Sequence, residues 1–344
     1  MTSDSGITAP VSADNFEIPL IDFAAFREVD EKAKTETARS ILSGFQRASF
    51  IYLRNHGISK ATVDRAFEDS AKFFKRPIAQ KEELAWTSPE SNRGYVRQGK
   101  ENLAKDAVDK SVNAEKEQVV ELKDLKETMN FGREGDVFEN HWPDSFDDEG
   151  KVFKGNMVTF FNECQLLNIQ IMRAIAVGLG IQEDWFDSFC DAANNNLRLL
   201  HYPEVRAEVF QKNKLQVRAG AHTDYGSINL LFQDMTGGLQ VQTPDGSFID
   251  ATPIPDTVVI NAGDMLARWS NDTIKSTKHR VVEPARDSQA EQTYPARYSI
   301  AYFCIPNTDS LIEAIPGTYD DACDKKYPGI RSGEYLVQRL AATI

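Results

Sequence analysis

His222 and Asp224 stand two apart within Ala219-Gly-Ala-His222-Thr-Asp224-Tyr225-Gly-Ser227-Ile-Asn-Leu-Leu-Phe232. The stretch reads as a strand that starts as a turn and runs into the core. A period of two puts His222 and Asp224 on one face and Thr223 on the other. An imidazole and a carboxylate so placed can take two neighbouring positions on a metal ion. His279, in Lys275-Ser-Thr-Lys-His279-Arg280-Val281, is the natural third ligand. Two histidines and one carboxylate that leave three positions open make the facial arrangement of non-haem iron(II) centres. Ligand type by itself also leaves a zinc hydrolase open.

A His-x-Asp pair alone is a weak signal, and its surroundings strengthen it. The chain has only 5 His. Between Asp224 and His279 lie an Asp245-Gly246 hairpin signal and at least two strand-like runs, enough chain to return to the same end of a barrel. Arg297-Tyr298-Ser299 then puts Arg and Ser on one strand face. A guanidinium is a planar fork that matches a carboxylate and stays charged at any working pH, and Ser299 adds a donor without charge. Arg286, in the polar stretch 283–292, is the fallback anion partner.

The elements that must carry these residues follow from periodicity. Residues 1–14 read as a disordered tail, and 15–130 as a region of helices and strands. Helical spacing runs from about Glu31 to Ala48 and from about Lys60, with the strand Phe50-Ile-Tyr-Leu53 between. Residues 98–128 are rich in Lys, Glu and Asp without a clear period, and read as a solvated insertion or a lid. Region 131–190 contains a long helix from about Lys154 to Gly178. Region 191–310 holds Leu197-Arg-Leu-Leu-His201-Tyr202-Pro203 and then short strands between turn signals. Region 311–344 ends in a helix. Helices first and about eight strands after predict a double-sheet β-barrel flanked by helices.

Composition sets outer limits. A formal charge of -13 with scattered Lys and Arg argues against a nucleic-acid polymer or an anionic membrane as partner. No apolar run is long enough to span a bilayer and no signal-peptide pattern is present, which predicts a cytoplasmic protein. Cys164, Cys190, Cys304 and Cys323 are far apart and without CxxC, so buried reduced thiols are expected. Nothing in the sequence specifies an oligomeric state.

Taken together, the motifs resemble the isopenicillin N synthase-like family of 2-oxoglutarate- and Fe(II)-dependent dioxygenases over nearly everything after residue 16. Ile18-Pro-Leu-Ile-Asp-Phe23, Asn55-His56-Gly57 and Asn92-Arg-Gly-Tyr95 are similar to its N-terminal region. His222-Thr-Asp224, Asn261-Ala-Gly263-Asp264, Lys275-Ser276, His279-Arg-Val281 and Arg297-Tyr-Ser299 are similar to its catalytic region. The resemblance implies a distorted double-stranded β-helix, or jelly roll, with Fe(II) on His222, Asp224 and His279. It further implies that Arg297 and Ser299 hold the distal carboxylate of 2-oxoglutarate with help from Tyr202. Oxidative decarboxylation to succinate and CO2, with O2 as co-substrate, would then drive hydroxylation of a C–H bond.

Within the family, His222 to Ser227, Ala267 to Asp272 and Tyr298 to Phe303 resemble the branch that oxidises the 5-methyl group of thymine. That implies a small-molecule substrate, thymine converted to 5-hydroxymethyluracil and onward. A uracil-like ring asks for stacking and amide-like hydrogen bonds, for which Tyr225, Arg198, Phe303 and one of Asn194 to Asn196 are candidates. Another small aromatic metabolite, or a receptor without turnover, remains open. Leu200 stands where many relatives carry Asn, and the stretch between His279 and Arg297 is longer than usual.

Overall fold

Strand β1 (Leu20–Asp22), helix α1 (Glu31–Ala48), strand β2 (Phe50–Arg54) and helix α2 (Lys60–Lys75) open the chain in this computed structural model. The structure describes residues 11–13, 16–28, 30–101, 123–213, 216–284, 292–320 and 324–341. Next come β3 (Gly94–Val96), β4 (Glu127–Phe131), α3 (Asp148–Leu179), β5 (Asn196–Tyr202) and β6 (Ala219–His222). They are followed by β7 (Ile228–Gln233), β8 (Leu239–Gln242), β9 (Phe248–Asp250) and β10 (Thr257–Ala262). Helix α4 (Asp264–Trp269), β11 (His279–Val281), β12 (Arg297–Phe303) and α5 (Ser332–Ala341) complete the set used below.

The helices begin and end where local chemistry dictates. Asp30 caps α1 by accepting from the Lys32 and Ala33 N–H groups, and Asp147 caps α3 by accepting from Gly150. Gly180, at φ 73°, ends α3 in the left-handed region. The buried face of α3 carries Met157, Phe160, Phe161, Cys164, Leu167, Ile171 and Met172, matching the expected stripe. Its start at Asp148 lies earlier than periodicity placed it, the first turn being capped by Asp147.

Eight strands form one sheet in the order β1-β2-β10-β7-β12-β5-β4-β3, antiparallel except for β1 on β2. Four more form a second sheet, β9-β8-β11-β6. Alternation along β2 and β5 makes the layering visible. Ile51, Leu53, Leu197 and Leu199 pack with the helices, while Phe50, Tyr52, Leu200 and Tyr202 pack with Ala219, Leu239, Val241 and Val281 of the small sheet. A large sheet covered by helices on one face and by a smaller sheet on the other is the expected jelly-roll arrangement. The Asp245-Gly246 turn joins β8 to β9 with Gly246 at φ 90°.

Two expectations change. Among the described residues the large and small sheets stay separate and do not close into a barrel, and β1 to β4 lie in the same sheet as strands of the catalytic region. The stretch 98–128 is not a solvated insertion at its ends: Thr128 lies inside β4, and the Lys126 side chain is only 2% exposed. Lys126 Nζ sits 2.6 Å from Asp124 and 3.0 Å from Glu101, so mutual neutralisation lets charged residues go inside. Residues 102–122 lie outside the described residues. Cys164, Cys190 and Cys304 are buried and free, as expected, whereas Cys323 is outside them. Among the described residues no helix is long and apolar enough to cross a membrane.

Candidate active site

The end of β6 and the start of β11 are direct register partners at His222 and His279. Their ring centroids are 4.4 Å apart. Asp224 completes the cluster, with one ligand atom from each of the three residues all within 4.8 Å of one another. Alternation does not place Asp224, contrary to the sequence-based expectation. β6 stops at His222, and Asp224 sits in the following turn, where its carbonyl accepts from the Asp264 N–H at 2.8 Å. That turn packs so closely against Gly263 that a Cβ there would collide with the Gly226 carbonyl.

Each ligand is oriented by a second contact. His222 Nδ1 faces the Gly220 carbonyl at 2.8 Å and His279 Nδ1 the Thr277 carbonyl at 3.4 Å. Both Nε2 atoms therefore turn toward Asp224, at 4.0 and 3.7 Å. Asp224 Oδ2 accepts from Asn261 at 2.7 Å and Asn229 at 3.2 Å. Such outer contacts fix the tautomer and direction of metal-binding groups. Burial, then the neighbouring His279, lowers the His222 pKa to about 4, which favours the neutral, ligating imidazole. Burial opposes ionisation of Asp224, but His279, His222 and the two amides outweigh it and hold its pKa below the usual carboxylate value. Two imidazoles, that of His222 favoured in its neutral form, and an ionised carboxylate fit a divalent iron.

Arg297 begins β12 opposite Tyr202 of β5, and Ser299 lies opposite Leu200. The stretch between His279 and Arg297 does not displace the guanidinium, which is 1% exposed and stacks 5.0 Å from the Tyr202 ring centroid. It donates to Ser299 Oγ at 3.1 Å, Gln233 Oε1 at 3.0 Å and the Gly237 carbonyl at 2.8 Å. All of these acceptors are neutral, so the cation keeps its charge for an anion. Leu200 is buried between the sheets, where an Asn would have offered a donor. Arg286 lies outside the described residues.

Beside the metal cluster is a cavity of about 370 Å³, with His222 and Asp224 in its wall. Trp86, Phe303, Ile305 and Leu336 make it largely apolar. Tyr225, Arg198 and Asn196 also line it. Arg198 lies 5.4 Å from the Phe303 ring and donates to Asn130 at 2.6 Å, with Glu101 at 3.7 Å. The Asn196 amide N–H donates to the Asn92 carbonyl, leaving its buried Oδ1 without a partner. Asn194 is elsewhere: its oxygen accepts from the Thr308 N–H, and it is not among the residues lining this cavity. Reasoning from sequence missed Asn229, Glu101, Lys126 and the α5 residues Leu336 and Leu340. Asn229 did leave a signal, an amide inside the apolar run Ile228 to Phe232 that demands a partner.

A two-histidine, one-carboxylate cluster with an arginine nearby, set between the sheets of a jelly roll, defines a non-haem iron oxygenase. The model of the 2OG-Fe(II) oxygenase superfamily matches residues 193–306, and that of the non-haem dioxygenase in morphine synthesis N-terminal region matches 18–145. The 2-oxoglutarate-dependent dioxygenase frbA of Dothideomycetidae sp. (strain 11243) is 33% identical over 90% of this chain and 92% of its own. The proline hydroxylase buaE of Petromyces alliaceus is 31% identical over 95% and 99%. The crystal structure of full-length Neurospora crassa thymine 7-hydroxylase in complex with alpha-KG and thymine is 54% identical, with a TM-score of 0.88 over 97% of this chain and 99% of that one. The chain belongs to the 2OG-Fe(II) oxygenase superfamily and is a 2-oxoglutarate-dependent dioxygenase using Fe(II), 2-oxoglutarate and O2.

Proposed function

We propose that the protein hydroxylates the methyl group of a small pyrimidine, thymine being the preferred substrate. The observation that carries this reading is the pairing, in one cavity, of the unpartnered Asn196 Oδ1 with the Arg198 guanidinium beside Phe303. A uracil ring presents N–H donors next to carbonyl acceptors on a flat face. Asn196 can accept from an N–H, Arg198 can donate to a carbonyl, and Phe303 with Tyr225 can flank the ring. The likeness to the Neurospora crassa enzyme, solved with thymine and separately with 5-formyluracil, supports the same substrate class and oxidation beyond the first alcohol.

His222, Asp224 and His279 hold the metal in this reading. Arg297 and Ser299 seat the distal carboxylate of 2-oxoglutarate, and Tyr202 packs against that guanidinium and lends its hydroxyl. The iron centre supplies the oxidising chemistry: 2-oxoglutarate and O2 yield succinate and CO2, and the second oxygen atom goes to the substrate C–H. The chain's share is orientation and exclusion of water. Apolar walls from Trp86, Ile305 and Leu336 keep the reacting methyl group in a dry cavity. The relative named as a proline hydroxylase favours, as a second reading, the same reaction on another small metabolite.

The test is a reaction containing thymine, Fe(II), 2-oxoglutarate and O2, with product mass measured beside a His279→Ala control. Thymine-dependent succinate together with a product heavier by one oxygen is the expected result. Succinate release that thymine does not stimulate, while another methylated aromatic does, would overturn the substrate assignment.

A further inference from the structure

Arg218 has no part in the scheme so far, yet its surroundings are unusual. It stands just before β6, its N–H donating to the Val281 carbonyl at 2.8 Å and its own carbonyl accepting from Leu125 at 3.0 Å. The side chain is fully buried. Nη2 donates to the Pro295 carbonyl at 2.8 Å, two residues before Arg297. Nε and Nη1 are buried with no hydrogen-bond partner among the described residues. Burial first, and then the Arg297 guanidinium, pulls the Arg218 pKa down, so the two cations feel each other.

Holding one carbonyl needs one donor, and a guanidinium carries five N–H bonds. A buried cation with unused donors is costly unless an anion completes it. Asp234 and Glu283 act on Arg218 only from beyond ion-pair distance, and Asp234 is already engaged by the Thr236 and Tyr298 N–H groups. Arg297 likewise has only neutral acceptors among the described residues. Tyr202 stacks on Arg297 and acts electrostatically on Arg218. Two buried guanidiniums, joined through Pro295 two residues before Arg297, therefore have no carboxylate in ion-pair contact among the described residues.

We propose that Arg218 and Arg297 form a two-guanidinium seat for the distal carboxylate of 2-oxoglutarate, Arg218 setting the preference for a dicarboxylic 2-oxo acid. This rests on Arg297 being the co-substrate anchor, as read above. Arg218 is a specificity-determining residue, remote from the reacting atoms.

The test is an anaerobic titration of the Fe(II)-loaded protein, following the visible charge-transfer band of the iron–2-oxo acid chelate. Two acids are compared: 2-oxoglutarate, and pyruvate, which keeps the chelating end and lacks the distal carboxylate. Arg218→Gln should weaken 2-oxoglutarate binding by about tenfold to a hundredfold, the range for a hydrogen bond to a charged group, and leave pyruvate unchanged. Arg218→Lys should recover part of the loss, and it carries the test if the Gln variant does not fold. An unchanged preference for 2-oxoglutarate over pyruvate in the folded variants overturns the proposal. Arg297→Gln separates the two failures. If it weakens 2-oxoglutarate while the Arg218 variants do not, Arg218 alone is misassigned; if it too has no effect, the Arg297 reading falls with it.

Discussion

His222 and His279 face each other as register partners on adjacent antiparallel strands, with Asp224 reaching the same point from the turn beyond His222. Neither strand holds a complete ligand set, so a metal bound by all three residues would tie β6 to β11. Replacing His279 with Ala should lower thymine-dependent succinate formation by more than about a hundredfold, beyond the usual effect of losing an outer contact. Metal content and turnover of the purified variant check this.

Asn261 reaches Asp224 from β10, a strand of the other sheet, at 2.7 Å. Asn261→Ala should weaken Fe(II) binding by about 10- to 100-fold while the fold persists. Metal titration beside a thermal melt distinguishes this from unfolding. Affinity equal to that of the unaltered protein would remove Asn261 from the account.

Ser299 is the neutral member of the Arg297 pair, its hydroxyl 3.1 Å from Nη1. Removing that hydroxyl in Ser299→Ala loses one ordinary hydrogen bond, about 0.5–1.5 kcal/mol. The 2-oxoglutarate half-saturation concentration should rise by roughly twofold to tenfold, with little change at saturating co-substrate.

Asn196 Oδ1 is buried at the cavity without a partner. Asn196→Leu should raise the KM for thymine by a factor on the order of ten to a hundred, because it removes the acceptor that the proposed function gives to a substrate N–H. Succinate released without thymine should not change. Kinetics with and without thymine read both quantities, and an unchanged KM would move substrate recognition elsewhere.

Glu101 lies beside Lys126 and Arg198. Burial opposes its ionisation, but the Lys126 and Arg198 charges prevail and lower its pKa to about 2. A carboxyl whose folded pKa is depressed stabilises the fold above its unfolded value and loses that contribution as pH falls toward the folded one. Stability should therefore decline between about pH 4.5 and pH 2, and Glu101→Gln should flatten that part of the curve. Urea midpoints at several pH values, variant against parent, measure the difference.

Much of the site could be read in the chain. The convergence of His222, Asp224 and His279 was legible because few residue types bind iron and the spacing allows a return to the same place. Arg297 and Ser299 followed from strand alternation, and the apolar stripe of α3 from helical periodicity. The ends of the 98–128 stretch misled for a definite reason. Composition counts charges but not their pairing, so the acids that neutralise buried Lys126 were invisible as partners.

What the linear sequence determined is the inventory: the ligand types, a guanidinium fixed to a serine by a period of two, and apolar runs whose alternation makes two-faced strands. Only tertiary structure decided which side chains share a space. A turn stitched to α4 brought Asp224 to the histidines, and sheet register set Arg297 against Tyr202. Local propensities act over a few residues, whereas sheet pairing and burial join positions dozens apart. For that reason Asn261 and Arg218 acquired neighbours that no sequence window contains.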